Sequence, residues 1–282
     1  MTEKDRTLAV INEQEAAKAF GKQAAGFDAY DAGNAIIQYK RKRVRDHVTR
    51  LLDPGSYILE LNAGTGQDAC WFAGQGHRVH ATDIAAGMQD ALREKVIRQG
   101  LTGKVSQELC SFTSLGGLQN KGPYDLIFSN FAGLNCTGEL DKVLQSFSAL
   151  VKPGGMVTLV ILPKYCLWEL LLAFKGKFRT AFRRFAGSKG ARSHVEGHFF
   201  RCWYYQPSYV IRSLAESFDL VDLEGLCTIV PPSYIEGFGE KHPRLYRVMR
   251  NAEDRWKGRW PFKHIGDYYI ISFRKKGGLR AV

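Results

Sequence analysis

The stretch ILELNAGTGQDA, residues 58–69, decides the fold. An apolar run ends on a carboxylate, Glu60, and a turn containing Gly64 and Gly66 follows at once. This order predicts a buried strand, a tight loop and the start of a helix, because glycine lets the backbone turn sharply and approach a ligand closely. The rest of the chain has to show which ligand the loop receives.

Strands and helices alternate on both sides of this stretch. After a helical lead-in at 1–30, helices are predicted at 34–52, 67–75, 85–100, 139–151, 207–218 and 244–257. Strands are predicted at 56–62, 77–83, 104–109, 124–131, 156–162, 219–230 and 267–275. Such alternation indicates an α/β protein whose mostly parallel sheet is covered by helices on both faces.

The alternation breaks after Pro163. Residues 164–206 contain helix signals, basic residues and aromatics but no clear strand, so we predict a mostly helical cap there. The core domain is then formed by 1–163 and 207–282, with a small insertion at 231–266 between its last two strands. A length of 282 residues suits one large domain with such insertions.

Composition narrows the function classes. The net charge is +12, and the segment 164–205 carries nine Lys/Arg against two Glu, a balance that attracts nucleic acid, anionic lipid or an acidic substrate, or marks a solvated basic surface. None of the six cysteines forms a CxxC pair, so we expect reduced thiols and no metal. No signal-type segment or membrane-length apolar run occurs, which predicts a cytoplasmic protein.

Two carboxylates limit the class of ligand that the loop can bind. Residues 64–69 fit G-x-G-x-x-A, which also occurs in dinucleotide sites. A pyrophosphate gains nothing from Glu60, whereas a ligand with a cationic amino or sulfonium group is attracted to it. Asp83 ends the second predicted strand and can accept hydrogen bonds from ribose hydroxyls.

The segments ILELNAGTG, VHATD, YDLIFSNF and LVKPGG follow one another at workable spacing. In this order they resemble the class I S-adenosylmethionine-dependent methyltransferases, well over residues 27–162 and elsewhere only in strand order. The chain is more narrowly similar to bacterial members with an ELN-x-GTG loop and an SNF-x-GLNC strand end. The resemblance implies a Rossmann-like doubly wound sheet of about seven strands, the last antiparallel, and S-adenosylmethionine as cofactor.

The resemblance also implies a set of cofactor-binding residues. Glu60 and the loop hold the methionine part, Asp83 holds the ribose, and other side chains flank the adenine or the methyl group. Asn62 replaces the usual first glycine of the family, and Ser111 replaces a common Asp. The full set is Tyr30, Glu60, Asn62, Ala63, Gly64, Gly66, Asp83, Ile84, Ser111, Phe112, Asn130 and Phe131.

Other roles stay open for several of these residues. Glu60 and Asp83 are also suited to capping a helix terminus. The two phenylalanines, Phe112 and Phe131, also suit a plain core, and Tyr30 suits ordinary packing.

The acceptor is expected to be a small aromatic or isoprenoid-like molecule methylated at oxygen or carbon. The strand end SNFAG lacks the prolines of the loop with which the family methylates base amines, so a nucleic-acid partner is disfavoured. In the cap, His198 or His194 is the candidate base, with Tyr204 or Tyr205 as an orienting hydroxyl. Contacts with the acceptor are expected from Asn135, Trp168 and Tyr205.

Alternatives remain. The apolar stripe of the cap, Leu167 to Phe185, either docks the cap onto the core or lies on an anionic membrane as a peripheral contact. The basic charge also fits an RNA methyltransferase. Two alternatives belong to other functional classes. They are a non-catalytic cofactor-binding regulator and an NAD-linked oxidoreductase. The sequence indicates no oligomeric state.

Overall fold

The structure, a computed structural model, describes residues 3–277. Its strands are β1 (Tyr57–Leu61), β2 (Arg78–Asp83), β3 (Val105–Leu109), β4 (Tyr124–Ser129), β5 (Val151–Ile161), β6 (Ala191–Val195), β7 (His198–Cys202), β8 (Phe218–Leu226) and β9 (Tyr268–Lys275). Its α-helices are α1 (Glu3–Gly33), α2 (Ala35–Thr49), α3 (Gln67–Gly74), α4 (Ala86–Arg98), α5 (Leu140–Leu150), α6 (Leu167–Leu171), α7 (Phe178–Phe182), α8 (Pro207–Leu214), α9 (Phe238–Lys241) and α10 (Pro243–Trp256).

Seven strands form one sheet in the order β3-β2-β1-β4-β5-β9-β8. The first five are parallel, and β9 runs antiparallel to both of its neighbours. The predicted Rossmann-like doubly wound fold is therefore confirmed. The chain runs outward from β1 to β3 and then returns to place β4 beside β1, so a crevice opens at the carboxyl ends of these two strands.

Two apolar cores lie on the two faces of the sheet. On one face, Phe147 of α5 and Val210 of α8 are fully buried. On the other, Val44 of α2, Phe72 of α3 and Leu92 of α4 are fully buried. Burial on both faces explains why the sheet strands read as continuous apolar runs.

The region 164–206 differs from the prediction, because it contains the antiparallel hairpin β6–β7 beside short helical segments. Its two-residue turn, Glu196-Gly197, has positive φ at both positions, as tight hairpins require. Glu is rarely found at such a position, so this turn could not be recognised from its residues. The predicted KPGG turn at 152–155 lies within β5, where the pairing with β4 shifts register. Residues 1 and 2 of the predicted lead-in helix and the last five residues of the predicted core lie outside the described residues.

Among the helices within residues 3–277, none has the length and hydropathy needed to cross a membrane.

Gly66, which ends the loop after β1, is required by both conformation and space. Its φ is +75°, in the left-handed region, and a Cβ there would lie 2.1 Å from Cδ1 of Leu92. The absent side chain lets the start of α3 lie against Leu92 of α4.

We predict that Gly66→Ala lowers the free energy of unfolding by roughly 2–4 kcal/mol. About 1 kcal/mol comes from the left-handed backbone and about 1–3 kcal/mol from overpacking against Leu92. Urea denaturation with the far-ultraviolet circular dichroism signal measures the change.

Gly74→Ala in the same helix is the matched control. A Cβ at Gly74 meets no atom within 4 Å, and its φ is not positive. This change should stabilise the protein by about 0.5–1 kcal/mol. Equal effects of the two substitutions would show that the contact with Leu92 is not the constraint.

Candidate active site

A cavity of about 170 Å³ opens at the carboxyl ends of β1, β2 and β4. Its floor comes from the strand ends and their loops, and its roof comes from α1. It is smaller than the roughly 300–1,000 Å³ typical of ligand sites. The lining residues are Glu13, Ala16, Ala17, Phe20, Phe27, Arg41, Glu60, Asn62, Ala63, Gly64, Gln67, Asp68, Asp83, Ile84, Met88, Phe112, Asn130, Phe131, Gly133 and Cys136.

Glu60 is a buried carboxylate that lines this cavity with an unused oxygen. Its side chain is 2% exposed, and Oε2 has no hydrogen-bond partner among the described residues. Burial, and after it the charge of Asp68, raises the pKa of Glu60 well above its ordinary value. A buried oxygen without a partner is costly, so this atom is poised to accept a hydrogen bond from a ligand.

Asp68, in the first turn of α3, is in contrast fully engaged. Its Oδ2 accepts from Nη1 of Arg41 at 2.6 Å and from Nδ2 of Asn130 at 2.8 Å, and its Oδ1 accepts from Nε of Arg45 at 2.7 Å. Burial acts to raise its pKa, but the two guanidinium groups outweigh it and the pKa is lowered. The ionised Asp68 therefore joins α2, α3 and the end of β4.

Asp83 closes the loop after β1 from the neighbouring strand. Its Oδ2 accepts from the backbone N–H of Gly64 at 2.9 Å, and its Oδ1 accepts from that of Ala85 at 2.8 Å. Burial raises its pKa. The N-cap residue of α4 is Ala85 and no side chain caps this helix, so Asp83 does not have the capping role considered from the sequence. Its side chain lines the cavity.

Asn62 joins the ends of β1 and β4. Its Oδ1 accepts from Oγ of Ser129 at 2.6 Å, and its Nδ2 donates to the carbonyl of Asn130 at 2.8 Å. Its φ of +46° is a conformation that Asn adopts more readily than most residues. Gly133 packs against it so closely that a Cβ would lie 2.3 Å from Cγ of Asn62. Asn62, which replaces the usual glycine of the family, therefore forms part of the cavity floor.

Nine of the twelve predicted cofactor residues line the cavity, and Tyr30, Gly66 and Ser111 do not. Tyr30 is 48% exposed and donates to Glu236 at 3.2 Å. Gly66 faces α4, and the hydroxyl of Ser111 donates to Glu13 of the roof.

The predicted catalytic pair lies outside the cavity lining. Nδ1 of His198 lies 2.9 Å from Oε2 of Glu15 on the far side of α1. Tyr204 packs under the guanidinium of Arg184 at 5.2 Å, and burial raises its pKa to about 12. A tyrosine with this pKa gives up its proton less readily than an ordinary one.

The three predicted acceptor contacts also lie elsewhere. Nδ2 of Asn135 donates to the carbonyls of Leu162 and Trp203, which fastens the cap to β5. The hydroxyl of Tyr205 donates to the carbonyl of Thr137 at 2.5 Å. Trp168 does not line the cavity, and its Nε1 has no partner among the residues that the structure describes.

The role of α1 as the roof of the cavity was not predicted from the sequence. Glu13, Phe20 and Phe27 recur at intervals of seven residues and therefore share one face of α1. The hairpin β6–β7 holds the same helix, since Phe200 packs on Phe20 with ring centroids 5.5 Å apart. The seven-residue spacing was a usable signal. No comparable signal marks Arg41, because the six Lys/Arg of residues 40–50 are typical of a solvated helix face.

Residues 58–155 match the family described as Methyltransferase domain. The chain is 28% identical over 166 residues to a malonyl-[acyl-carrier protein] O-methyltransferase of Serratia marcescens, covering 57% of each protein. It is 29% identical over 132 residues to the ubiquinone/menaquinone biosynthesis C-methyltransferase UbiE of Francisella tularensis, covering 45% of this chain and 52% of that protein. The chain thus spans little more than half the length of these curated relatives.

Among solved structures, the [4+2]-cyclase SpnF superposes with a TM-score of 0.62 at 16% identity, over 95% of this chain and 97% of that one. At this identity the likeness concerns the fold. The strand order is that of a Rossmann-like class I methyltransferase fold, and residues 58–155 are similar to the methyltransferase domain family.

The two buried carboxylates of the site should respond oppositely to conversion into amides. A raised pKa in the folded state means that Glu60 lowers the free energy of unfolding as pH rises through that pKa. Glu60→Gln should remove this decline and leave the ligand-free protein at least as stable at neutral pH. Asp68→Asn should cost about 3–5 kcal/mol, because it breaks a buried ion pair with two arginines.

Chemical denaturation of both variants across the pH range measures these effects. Asp90→Asn, at an exposed position of α4, is the control for the change of charge. A destabilisation by Glu60→Gln as large as that by Asp68→Asn would contradict the assignment of an unpartnered carboxylate.

Proposed function

We propose that the protein transfers the methyl group of S-adenosylmethionine to a small acceptor molecule. The observation that carries the proposal is the unpartnered Oε2 of Glu60, buried in the crevice beside the Gly-rich loop. It demands a donor from the ligand, and the ammonium group of the cofactor is such a donor. Four carboxylates and one arginine, Arg41, line the cavity, so a dinucleotide pyrophosphate is disfavoured there.

The cavity lining offers suitable side chains for each part of the cofactor. Glu60 would hold the amino group, and Arg41, whose Nε has no partner within the described chain, would hold the carboxylate. Asp83 would accept from the ribose hydroxyls, and Ile84, Met88 and Phe112 would flank the adenine. Because α1 narrows the cavity, entry of the cofactor requires this helix to move outward.

The bound cofactor supplies a methyl group already activated on a sulfonium. The chain has only to orient the two reactants and exclude water, which the α1 roof and the packed strand ends would do. Proton transfer is needed only for a protonated acceptor. The reaction therefore does not depend on a catalytic triad.

The acceptor would meet the floor formed by Asn130, Phe131, Gly133 and Cys136. This floor is mostly apolar and none of its four residues is charged, which suits a small aromatic or isoprenoid-like acceptor better than RNA. The two relatives named above methylate an oxygen of a malonyl group and a carbon in quinone biosynthesis, and we propose O- or C-methylation here as well. In this proposal the core, 1–163 and 207–282, binds the cofactor and the cap, 164–206, governs access of the acceptor.

Calorimetry tests the cofactor step. S-adenosylmethionine and S-adenosylhomocysteine should bind with a micromolar dissociation constant, about −8 kcal/mol, and NAD should not compete. Asp83→Ala should weaken binding roughly 10- to 100-fold by removing hydrogen bonds to a charged acceptor. Glu60→Gln should weaken it similarly and abolish proton release on binding, which is measured in buffers of different ionisation enthalpy.

Asp90→Asn is again the matched control, since it changes a carboxylate on the exposed face of α4. Binding of NAD in place of the sulfur ligands would overturn the proposed cofactor site. Unchanged affinity in Asp83→Ala, with its folding verified by circular dichroism, would overturn the role of Asp83.

A screen with isotopically labelled cofactor tests the acceptor. Phenols, polyprenylated quinols, malonyl thioesters and RNA are the acceptors to compare, and label should pass to one of the small molecules. Transfer to RNA alone would favour the RNA methyltransferase. Cofactor binding without transfer to any of them would favour a regulatory role.

A further inference from the structure

The cap exposes an unusual number of large apolar side chains. Phe174 is 89% exposed and Phe178 is 60% exposed, and six of the seven such residues of the cap fall within 21 positions. We call this surface the cap tip: Tyr165, Leu171, Phe174, Phe178, Phe182 and Phe185. Part of it is one continuous patch, because the ring of Phe185 lies 5.5 Å from that of Tyr165 and 6.0 Å from that of Phe182.

The inward face of the cap is polar instead. Glu169 is 1% exposed and accepts from Nε of Arg183 at 2.8 Å and from Nη2 of Arg184 at 2.6 Å. Arg184 is 3% exposed and also donates to the carbonyls of Pro163 and Asp267. The ion pairs of Glu169 hold the cap together and Arg184 attaches it to the core, while the phenylalanines face outward. This arrangement reverses the usual burial of apolar groups and marks an interaction surface.

The charged residues of the cap around this surface are almost all basic. Residues 164–189 contain seven Lys/Arg and a single carboxylate, Glu169, which is buried and neutralised by two arginines. Lys175, Lys177 and Arg179 are exposed between the phenylalanines. The cap tip thus consists of apolar side chains among exposed cations, the complement of an anionic apolar boundary.

We infer that the cap tip docks on an anionic phospholipid membrane. Phe174 and Phe178 enter the boundary between head groups and acyl chains, and Lys175, Lys177 and Arg179 lie at the level of the phosphates. A bilayer surface deforms around a protruding ring such as Phe174, whereas a protein partner needs a deep matching pocket. The contact is peripheral, and it stands apart from the proposed methyl transfer, since no cap-tip residue lines the cavity.

The inference also connects the membrane with the cavity floor. Nη2 of Arg184 donates to Asp267 at 2.8 Å, and Nζ of Lys40 lies 3.8 Å from the same carboxylate. Lys40 in turn lies over the ring of Phe131, 5.5 Å from its centroid. A membrane-docked cap therefore places the acceptor side of the cavity near the lipid surface, where apolar molecules concentrate.

Vesicle co-sedimentation of the full chain without cofactor tests the inference. The protein should bind vesicles of equimolar phosphatidylcholine and phosphatidylglycerol and release them at high salt, and it should bind pure phosphatidylcholine weakly. Phe174→Ser with Phe178→Ser should weaken binding about tenfold or more. Lys175→Glu with Lys177→Glu should weaken it by about fivefold or more per residue.

Leu245→Ser with Val248→Ser is the matched control, because these residues of α10 are 52% and 63% exposed and lie outside the cap. It should bind like the wild type. Binding to S-adenosylhomocysteine, measured in every variant, reports the core separately from the surface. Equal loss in the control pair, or no binding to anionic vesicles, would overturn the inference. So would a dimer in sedimentation velocity that the cap-tip substitutions dissociate, since the surface would then join two copies.

Discussion

The site depends on one buried anion, the carboxylate of Asp68. Arg41 from α2, Arg45 from the same helix and Asn130 from the end of β4 all donate to it. These hydrogen bonds hold α2, α3 and the end of β4 in place around the crevice. The strand order alone does not determine these positions. Glu60 lies next to this saturated anion, and its own carboxylate receives no donor of comparable strength. The arginines thus pair with Asp68 and not with Glu60, which is the distribution of charge that the proposed cationic ligand group would require.

The second constraint is the α1 roof. Its inner face lines the cavity. The hairpin holds the same helix through Phe200, which packs on the cavity-lining Phe20, and through Asn12, which accepts from the backbone N–H of Arg201 at 2.6 Å. The cap thus acts on the cavity indirectly, by fixing the helix that covers it. His198, the candidate base, contacts Glu15 of this helix and does not line the cavity.

The sequence was sufficient for those parts of the fold and site whose causes are local. The Gly-rich loop, the carboxylates at the ends of β1 and β2, and the alternation of strands and helices follow from neighbouring residues, and the strand order followed from the resemblance. The roof, Arg41 and the hairpin could not be found in the same way, because tertiary packing decides them. Arg41 belongs to a basic run that looks like a solvated face, yet it is 4% exposed. Tyr30 looked suited to the cofactor, but the geometry of α1 turns it outward and presents Phe27 to the cavity.

The distribution of charge connects the cavity with the surface. The protein carries a net charge of +12, but the cavity is lined by four carboxylates and one arginine. The excess cations therefore lie outside the site, and in the cap they surround exposed phenylalanines instead of a groove that could follow a nucleic-acid strand. Nucleic-acid binding needs cations aligned along a path for phosphates, with aromatics available for stacking. A convex apolar tip among cations lacks such a path, and it meets the requirement of a lipid surface, where apolar groups and phosphates lie in adjacent layers. An acidic cavity behind a basic, apolar surface is an arrangement suited to a cationic cofactor and an acceptor that arrives from an anionic membrane.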